Sequence, residues 1–143
     1  MQNYNGGQFA NGPWGDESVV DALYNIQETY NVDPIFAAAV TITESSAGTA
    51  NTTLIQQAHN WVSIKGSGFS YNGSQWNYYS SFADALEGSN GFGNLMANSG
   101  YYFAAGNIHI SEIGPTYCDW DWSVKTAKYM QQLLECIGEG DED

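Results

Sequence analysis

Glu44 is the one charge in the stretch PIFAAAVTITESSAG (34–48), and a carboxyl group in that setting has chemistry to offer. Ile35, Phe36, Ala37, Ala38, Ala39, Val40 and Ile42 make the segment apolar almost all round, the pattern of a helix buried through the middle of a domain. Removing a carboxylate from water disfavours its charged form. In a helix the acid would fall in the last turn, where backbone carbonyls add negative potential. Both effects bias the group toward keeping its proton, which is the state a general acid needs near neutral pH. Ser45, Ser46, Ala47 and Gly48 follow, small residues and a helix stop that would let a ligand come close. The plainer alternative is a Glu that simply reaches solvent where the helix ends.

Other chemistry-bearing residues form weaker sets. His59 and His109 lack the H-E-x-x-H spacing and have no cysteine pair beside them, so no metal or other cofactor is expected. No G-x-S-x-G occurs. Cys118 stands near a helix start, as a thiol nucleophile would, but both histidines precede it, and a buried inert thiol is the expectation. Cys118 and Cys136 sit at opposite ends of the last expected helix. A helix of about 15 residues is about 20 Å long, far beyond the roughly 6 Å a disulfide spans, so no internal bridge is expected.

The elements that must position these residues follow from periodicity and caps. Residues 1–15, rich in Gly, Asn and Gln, read as an irregular arm that Trp14 could tuck onto the domain. Val19, Leu23, Ile26 and Tyr30 recur at helical spacing and predict a helix from Ser18 to Tyr30. Asp33 and Pro34 are a cap and a first-turn residue, so the acid-bearing helix should run from Pro34 to about Ser46. Thr53 to about His59 reads as a short helix with Leu54, Ile55 and Ala58 inward. Residues 66–80 hold aromatics punctuated by Gly, Asn and Ser, and Asn72-Gly73 predicts a hairpin or loop beside the cleft. Ser81 and Asp84 form a capping box for a helix that should break near residue 90 among Gly88, Gly91 and Gly93. Residues 101–105 could add another short helix. The last helix should span Trp122 to about Ile137 with Ala127, Met130, Leu134 and Ile137 on one face. The domain is therefore expected over 16–138, with 139–143 an acidic tail or linker. The expected class is mainly α, with one small β element.

Composition sets limits on partners. The 143 residues fit one domain. Lys65, Lys125 and Lys128 face sixteen acidic residues, for a net charge of −13, which argues against nucleic acid. A neutral polymer is the easier partner, since sugar rings are held by aromatic faces and hydrogen bonds. No apolar run reaches the roughly 18 residues of a membrane span, and no basic start precedes an apolar signal core. Membrane insertion is not expected. Attachment to an anionic surface would require other domains, other chains or bridging cations.

Several motifs occur in an order that resembles a known family. The helix ending in Thr43-Glu44-Ser45-Ser46-Ala47-Gly48 looks like the A-x-x-x-x-E-S/T helix of the lysozyme-like superfamily. More specifically, the chain resembles the glucosaminidase family of peptidoglycan hydrolases, which includes flagellar and autolysin-type enzymes. That family continues S-x-L-x-x-x-A-x-N-L-F-G-I-K, and Thr52, Leu54, Ala58, Asn60, Trp61, Val62, Ser63, Ile64 and Lys65 stand in those positions. Its F-R-x-Y-x-S-x-x-E/D-S pattern is echoed by Trp76, Tyr79, Ser81, Asp84 and Ala85, and its late tyrosine, aromatic and lysine by Tyr117, Trp122 and Lys125. The echoes cover roughly residues 18–137. The resemblance implies a lysozyme-like helical domain with a central buried helix carrying a catalytic Glu. It implies Glu44 as general acid and places the Tyr117 hydroxyl near the reacting sugar.

The implied activity is an endo-β-N-acetylglucosaminidase that cuts the β-1,4 bond of peptidoglycan glycan strands. Such an enzyme acts at the cell wall, outside the cell or as a phage lysin or virion component. Asn60 and Lys65 could bond acetamido or carboxyl groups, and Trp61, Trp76, Tyr78 and Tyr79 offer stacking faces. Core packing is the alternative for each aromatic, and an ion pair the alternative for Lys65. One departure stands out: the family commonly carries a second carboxylate on the β element, but residues 66–80 contain no Asp or Glu. Three routes remain open. The substrate's 2-acetamido group assists, another acid such as Asp84, Glu112 or Asp119 reaches the cleft, or the reaction is an intramolecular lytic transglycosylation. Muramidase action on the same polymer is a further variant, and a non-catalytic glycan-binding or structural module is the alternative class.

Overall fold

The computed structural model describes residue 7, residues 9–99, Tyr117 and residues 120–141. Within them the chain is mainly α-helical with one two-stranded antiparallel sheet. A 3-10 turn at Pro13–Gly15 leads into α1 (Glu17–Tyr30) and α2 (Pro34–Ser45). Both helices start on side-chain caps: Asp16 Oδ1 accepts from Ser18 N at 2.9 Å, and Asp33 Oδ1 from Ile35 N at 2.8 Å. That first bond, together with the Ser18 hydroxyl, holds the Asp16 carboxyl below its usual range, the hydroxyl contributing most. Chain ends that cap themselves this way need no tertiary partner to begin a helix.

α2 is the axis of the domain. Ala37, Ala38, Ala39 and Val40 are fully buried, and their small volume lets neighbours close in from every side. Its main packing partner is the last helix, α6 (Trp120–Asp141). α1 packs on α2 and on the pair α4 (Phe82–Glu87) and α5 (Phe92–Asn98). The approach of α5 to α1 requires Gly93, where a Cβ would lie 2.8 Å from side-chain atoms of both Ile26 and Tyr30. Trp14 is buried in the core, 1% exposed, with its indole N–H on Thr41 Oγ1 at 3.1 Å and its ring edge-on to Phe9. From Phe9 onward the expected arm is therefore part of the domain.

After α2 the chain turns sharply, with Ser46, Ala47 and Gly48 all at positive φ. The stop comes from Ser46 in the left-handed conformation, two residues before the glycine that the sequence offers for it. Gly48 answers a packing demand as well, because a Cβ there would meet the Pro13 ring at 2.6 Å. α3 (Thr53–Gln56) is shorter than expected, though Leu54, Ile55 and Ala58 are buried as their pattern requires. The hairpin pairs β1 (Gly68–Tyr71) with β2 (Ser74–Asn77), in register Gly68 to Asn77 and Tyr71 to Ser74. Asn72 and Gly73, at φ 48° and 78°, make the tight turn between them.

Two expectations about the last helix are corrected. It continues to Asp141, so the tail assigned to 139–143 is helical over most of its length. Its buried face is also rotated. Trp122, Ser123, Thr126 and Leu133 are buried, whereas Leu134 is 55% and Ile137 41% exposed. The physical reason is the partner across α2: the Thr126 hydroxyl is paired with that of Thr43 at 2.9 Å, which admits a polar residue to the interface and turns the apolar positions outward. The helix suggested at 101–105, together with His109, Glu112, Cys118 and Asp119, lies outside the described residues. No described helix is long and apolar enough to cross a membrane.

Candidate active site

The C-terminal end of α2 and the start of α6 meet side by side. One turn carries the Thr43–Thr126 hydroxyl pair, and the next residue of α2, Glu44, accepts a hydrogen bond at Oε1 from Trp122 Nε1 at 2.6 Å. Glu44 is half-buried. The Trp122 ring is itself buried and stacks on Tyr117, with centroids 4.8 Å apart and planes at 24°. Phe36 and Phe92 close the cluster edge-on, Phe36 against Trp122 at 6.3 Å and Phe92 against Tyr117 at 6.2 Å. The Tyr117 hydroxyl donates to the Val62 carbonyl. An aromatic wall thus ties α6 to both the acid and the loop after α3.

Glu44 opens into a groove of about 550 Å³, lined also by Ser63, Ile64, Lys65, Trp76, Leu95 and Tyr117. That volume lies within the usual range for small-ligand clefts. Among the described lining residues Glu44 is the one carboxylate and Lys65 the one cation. The hairpin supplies the far wall. Lys65 forms an antiparallel bridge with Trp76, and its Nζ lies 5.5 Å from the Trp76 ring centroid, close enough for a cation–π attraction. The indole N–H of Trp76 is fixed on the Tyr71 carbonyl at 3.1 Å, so the ring is held rather than free to swing.

The site residues read from sequence divide into two groups. Glu44, Tyr117, Lys65 and Trp76 come together in the groove. Asn60, Trp61 and Tyr79, expected among the sugar contacts, are in the core instead. Asn60 is 0% exposed and spends its amide on backbone, with Nδ2 on Ile64 O and Asn77 O at 2.8 and 2.9 Å and Oδ1 accepting from Ile64 N at 3.0 Å. Trp61, also 0% exposed, donates to Phe82 O at 3.0 Å. Tyr79 donates to Asn90 O at 2.7 Å, and burial pushes its hydroxyl up to about 12. These three shape the loop and hairpin that carry Lys65 and Trp76. Tyr78, by contrast, is 55% exposed and does not line the groove.

Asp84, a candidate second acid, does not line the groove either. Its carboxylate accepts from Ser80 N at 3.1 Å while Ser81 Oγ accepts from Asp84 N at 3.0 Å, so it closes the start of α4 as a reciprocal cap. Glu112 and Asp119, the other two candidates, fall outside the described residues.

Sequence reasoning missed two residues of consequence, Trp122 buried behind the acid and Ser63 in the groove. Trp122 carried a signal, an aromatic five residues after Tyr117, but nothing local says that its N–H reaches an acid 78 positions earlier. Ser63 lines the groove at φ 57°, a conformation that disfavours residues with a Cβ. Its hydroxyl and its backbone N–H and C=O have no hydrogen-bond partner among the described residues. Strained non-glycine backbone gathers around the acid, since Ser46 and Ala47 share that region of φ.

No group of three metal-ligating side chains occurs among the described residues, and Cys136 is a half-buried free thiol. Comparison with known protein families, with curated proteins and with solved structures returns no match.

Proposed function

We propose that the chain is a peptidoglycan glycosidase with a lysozyme-like helical domain, in which Glu44 protonates the leaving oxygen of a β-1,4 bond in the glycan strand. The observation that carries this reading is the placement of Glu44: half-buried in the last turn of a buried helix, held by Trp122, and open to a groove wide enough for sugar rings. Partial burial and the negative helix end favour the protonated acid, while the Trp122 N–H favours the carboxylate. Trp76 and the aliphatic lining of the groove offer the apolar faces that sugar rings stack on, and Lys65 and Ser63 offer polar contacts.

The bond favoured is the one on the reducing side of N-acetylglucosamine, in line with the resemblance to glucosaminidases. The absence of a second carboxylate among the described groove residues supports a route that needs none. In one, the 2-acetamido oxygen attacks the anomeric carbon as Glu44 protonates the departing oxygen, and water then opens the cyclic intermediate. In the transglycosylase variant a hydroxyl of the same sugar attacks instead and returns its proton to Glu44. Muramidase cleavage would use the same acid on the neighbouring linkage. A non-catalytic glycan-binding module is the second class, favoured by that same missing carboxylate. Action at the cell wall goes with the resemblance to wall hydrolases, and with a net charge of −13 attachment to an anionic surface would need other domains or chains.

The deciding experiment is wall clearance by wild type and Glu44→Gln, with mass spectrometry of the released ends. Glu44→Gln should abolish turbidity loss while retaining the wild-type circular dichroism. Undiminished lysis by that variant would falsify the assignment. Reducing N-acetylglucosamine, reducing N-acetylmuramic acid and anhydro ends distinguish the three cleavage modes.

A further inference from the structure

The groove beside Glu44 does not end at Lys65. Ile64, Lys65 and Leu95 also border a second basin of about 230 Å³, which continues between the hairpin and α5. Its character differs from that of the first. Asn77, Asn90, Asn94 and Asn98 line it, and among the described lining residues there is no carboxylate, although the chain carries sixteen acidic residues and only three basic ones.

Three of the four amides, those of Asn77, Asn94 and Asn98, are held in place before any ligand arrives. Asn94 and Asn98 are four apart on α5 and share a face. Asn98 Nδ2 donates to Asn94 Oδ1 at 2.7 Å, and Asn94 Nδ2 donates to Ser89 O at 2.7 Å. On the hairpin side, Asn77 Oδ1 accepts from Ser67 N at 3.2 Å, while its Nδ2 donates to Tyr79 Oη at 3.2 Å and to Asn90 O at 3.4 Å. Each amide has two donor hydrogens and an acceptor oxygen, so these bonds leave one N–H each on Asn94 and Asn98 unspent, whereas both of Asn77's are used. Asn98 Oδ1 and the whole Asn90 amide have no partner among the described residues. Fixed neutral donors and acceptors complement hydroxyl and acetamido groups, and their order lowers the entropy lost on binding. Among the described lining residues phosphate would find one cation, Lys65, and a basic peptide would find no acid.

We infer that this basin is an accessory subsite for a neutral N-acetylated sugar unit, the next along the strand whose bond lies at Glu44. The ligand class rests on the glycosidase reading, whereas the basin and its chemistry do not. The protein then grips the polymer at a distance from the reacting bond, and affinity grows with chain length until the basin is filled.

Isothermal titration of Glu44→Gln protein with soluble N-acetylglucosamine oligomers of increasing length tests this without turnover. Longer oligomers should bind more tightly than short ones. Adding Asn98→Ala or Asn94→Ala should each lower affinity for the longest oligomer about tenfold, the size of one lost hydrogen bond of about 1.4 kcal/mol. Asn11→Ala, on a different pocket of the molecule, should change nothing. Asn98 is exposed, so its variant stays informative should Asn94→Ala lose its fold. Affinity independent of length, or indifferent to Asn98, overturns the subsite. Uncleaved walls combined with length- and Asn98-dependent binding would sink the glycosidase and leave the basin standing; cleaved walls with Asn98-independent binding would do the reverse.

Discussion

Trp122 donates its indole N–H to Glu44 Oε1 at 2.6 Å across the seam between α6 and α2. A neutral donor on a carboxylate is worth about 1.5–3 kcal/mol when the group is charged, and it also selects one rotamer of a flexible acid. Trp122→Phe removes the donor but keeps an aromatic ring against Tyr117 and Phe36. Wall-clearing activity should fall by roughly tenfold or more and Tm by a few degrees, with helix content unchanged. Full activity in the variant would show that the carboxyl is aimed by something else.

Asn60 holds the loop that carries Ser63 and Lys65 into the groove. Three hydrogen bonds from one fully buried amide fix the Ile64 N–H and the carbonyls of Ile64 and Asn77. Asn60→Ala strands those backbone groups away from water and should destabilise the fold by about 2–4 kcal/mol. The measurement is chemical denaturation, supported by hydrogen exchange. The Ile64 amide should lose protection before amides of α1 and α2 do. A variant as stable as wild type would mean that the loop holds without the amide.

How much could be read ahead of the structure depended on how far away a residue's partner lay. Asp33 and Ser81 cap helices through bonds to amides two or three residues on, and Asn72-Gly73 turns on its own φ preferences. Such signals sit within a few residues and were legible, as was the break between α4 and α5. The face of α6 was not, because Ser123 and Thr126 are polar types whose burial depends on a neighbour such as Thr43 on another helix. Asn60 and Trp61 look like ligand-binding residues until their partners at Ile64, Asn77 and Phe82 are seen. The groove itself divides the same way: Glu44 was conspicuous as the one charge in an apolar run, whereas Trp122 and Ser63 gain their meaning only from what lies beside them.

Tyr79 links alkaline pH to stability. Burial pushes its hydroxyl from the ordinary 10 up to about 12, ahead of the opposing influence of Asn77. The unfolded chain therefore ionises first, so the contribution is fully present below pH 10 and is lost as pH rises through about 12. A shift of that size corresponds to roughly 2–3 kcal/mol. Thermal melts across this window should fall more steeply for wild type than for Tyr79→Phe, which starts lower because Asn90 O loses its donor. Parallel melting curves would remove Tyr79 from the alkaline transition.

Ser63 gives the sharpest separation of stability from activity. Its φ of 57° suits glycine, and the left-handed region costs a residue with a Cβ about 1–2 kcal/mol. Glycine recovers that strain but adds freedom to the unfolded chain, worth about 0.4–1 kcal/mol the other way. Ser63→Gly should therefore melt at the wild-type temperature or a few degrees above it. If the strain exists to present the hydroxyl beside Glu44, the same variant should clear walls more slowly, by roughly fivefold for one hydrogen bond of about 1 kcal/mol. Ser63→Ala keeps the strain and loses the hydroxyl, so it should match the glycine variant in rate and fall below it in Tm. Undiminished rates in both variants would leave the hydroxyl without a part in turnover; a glycine variant less stable than wild type would contradict the strain at residue 63.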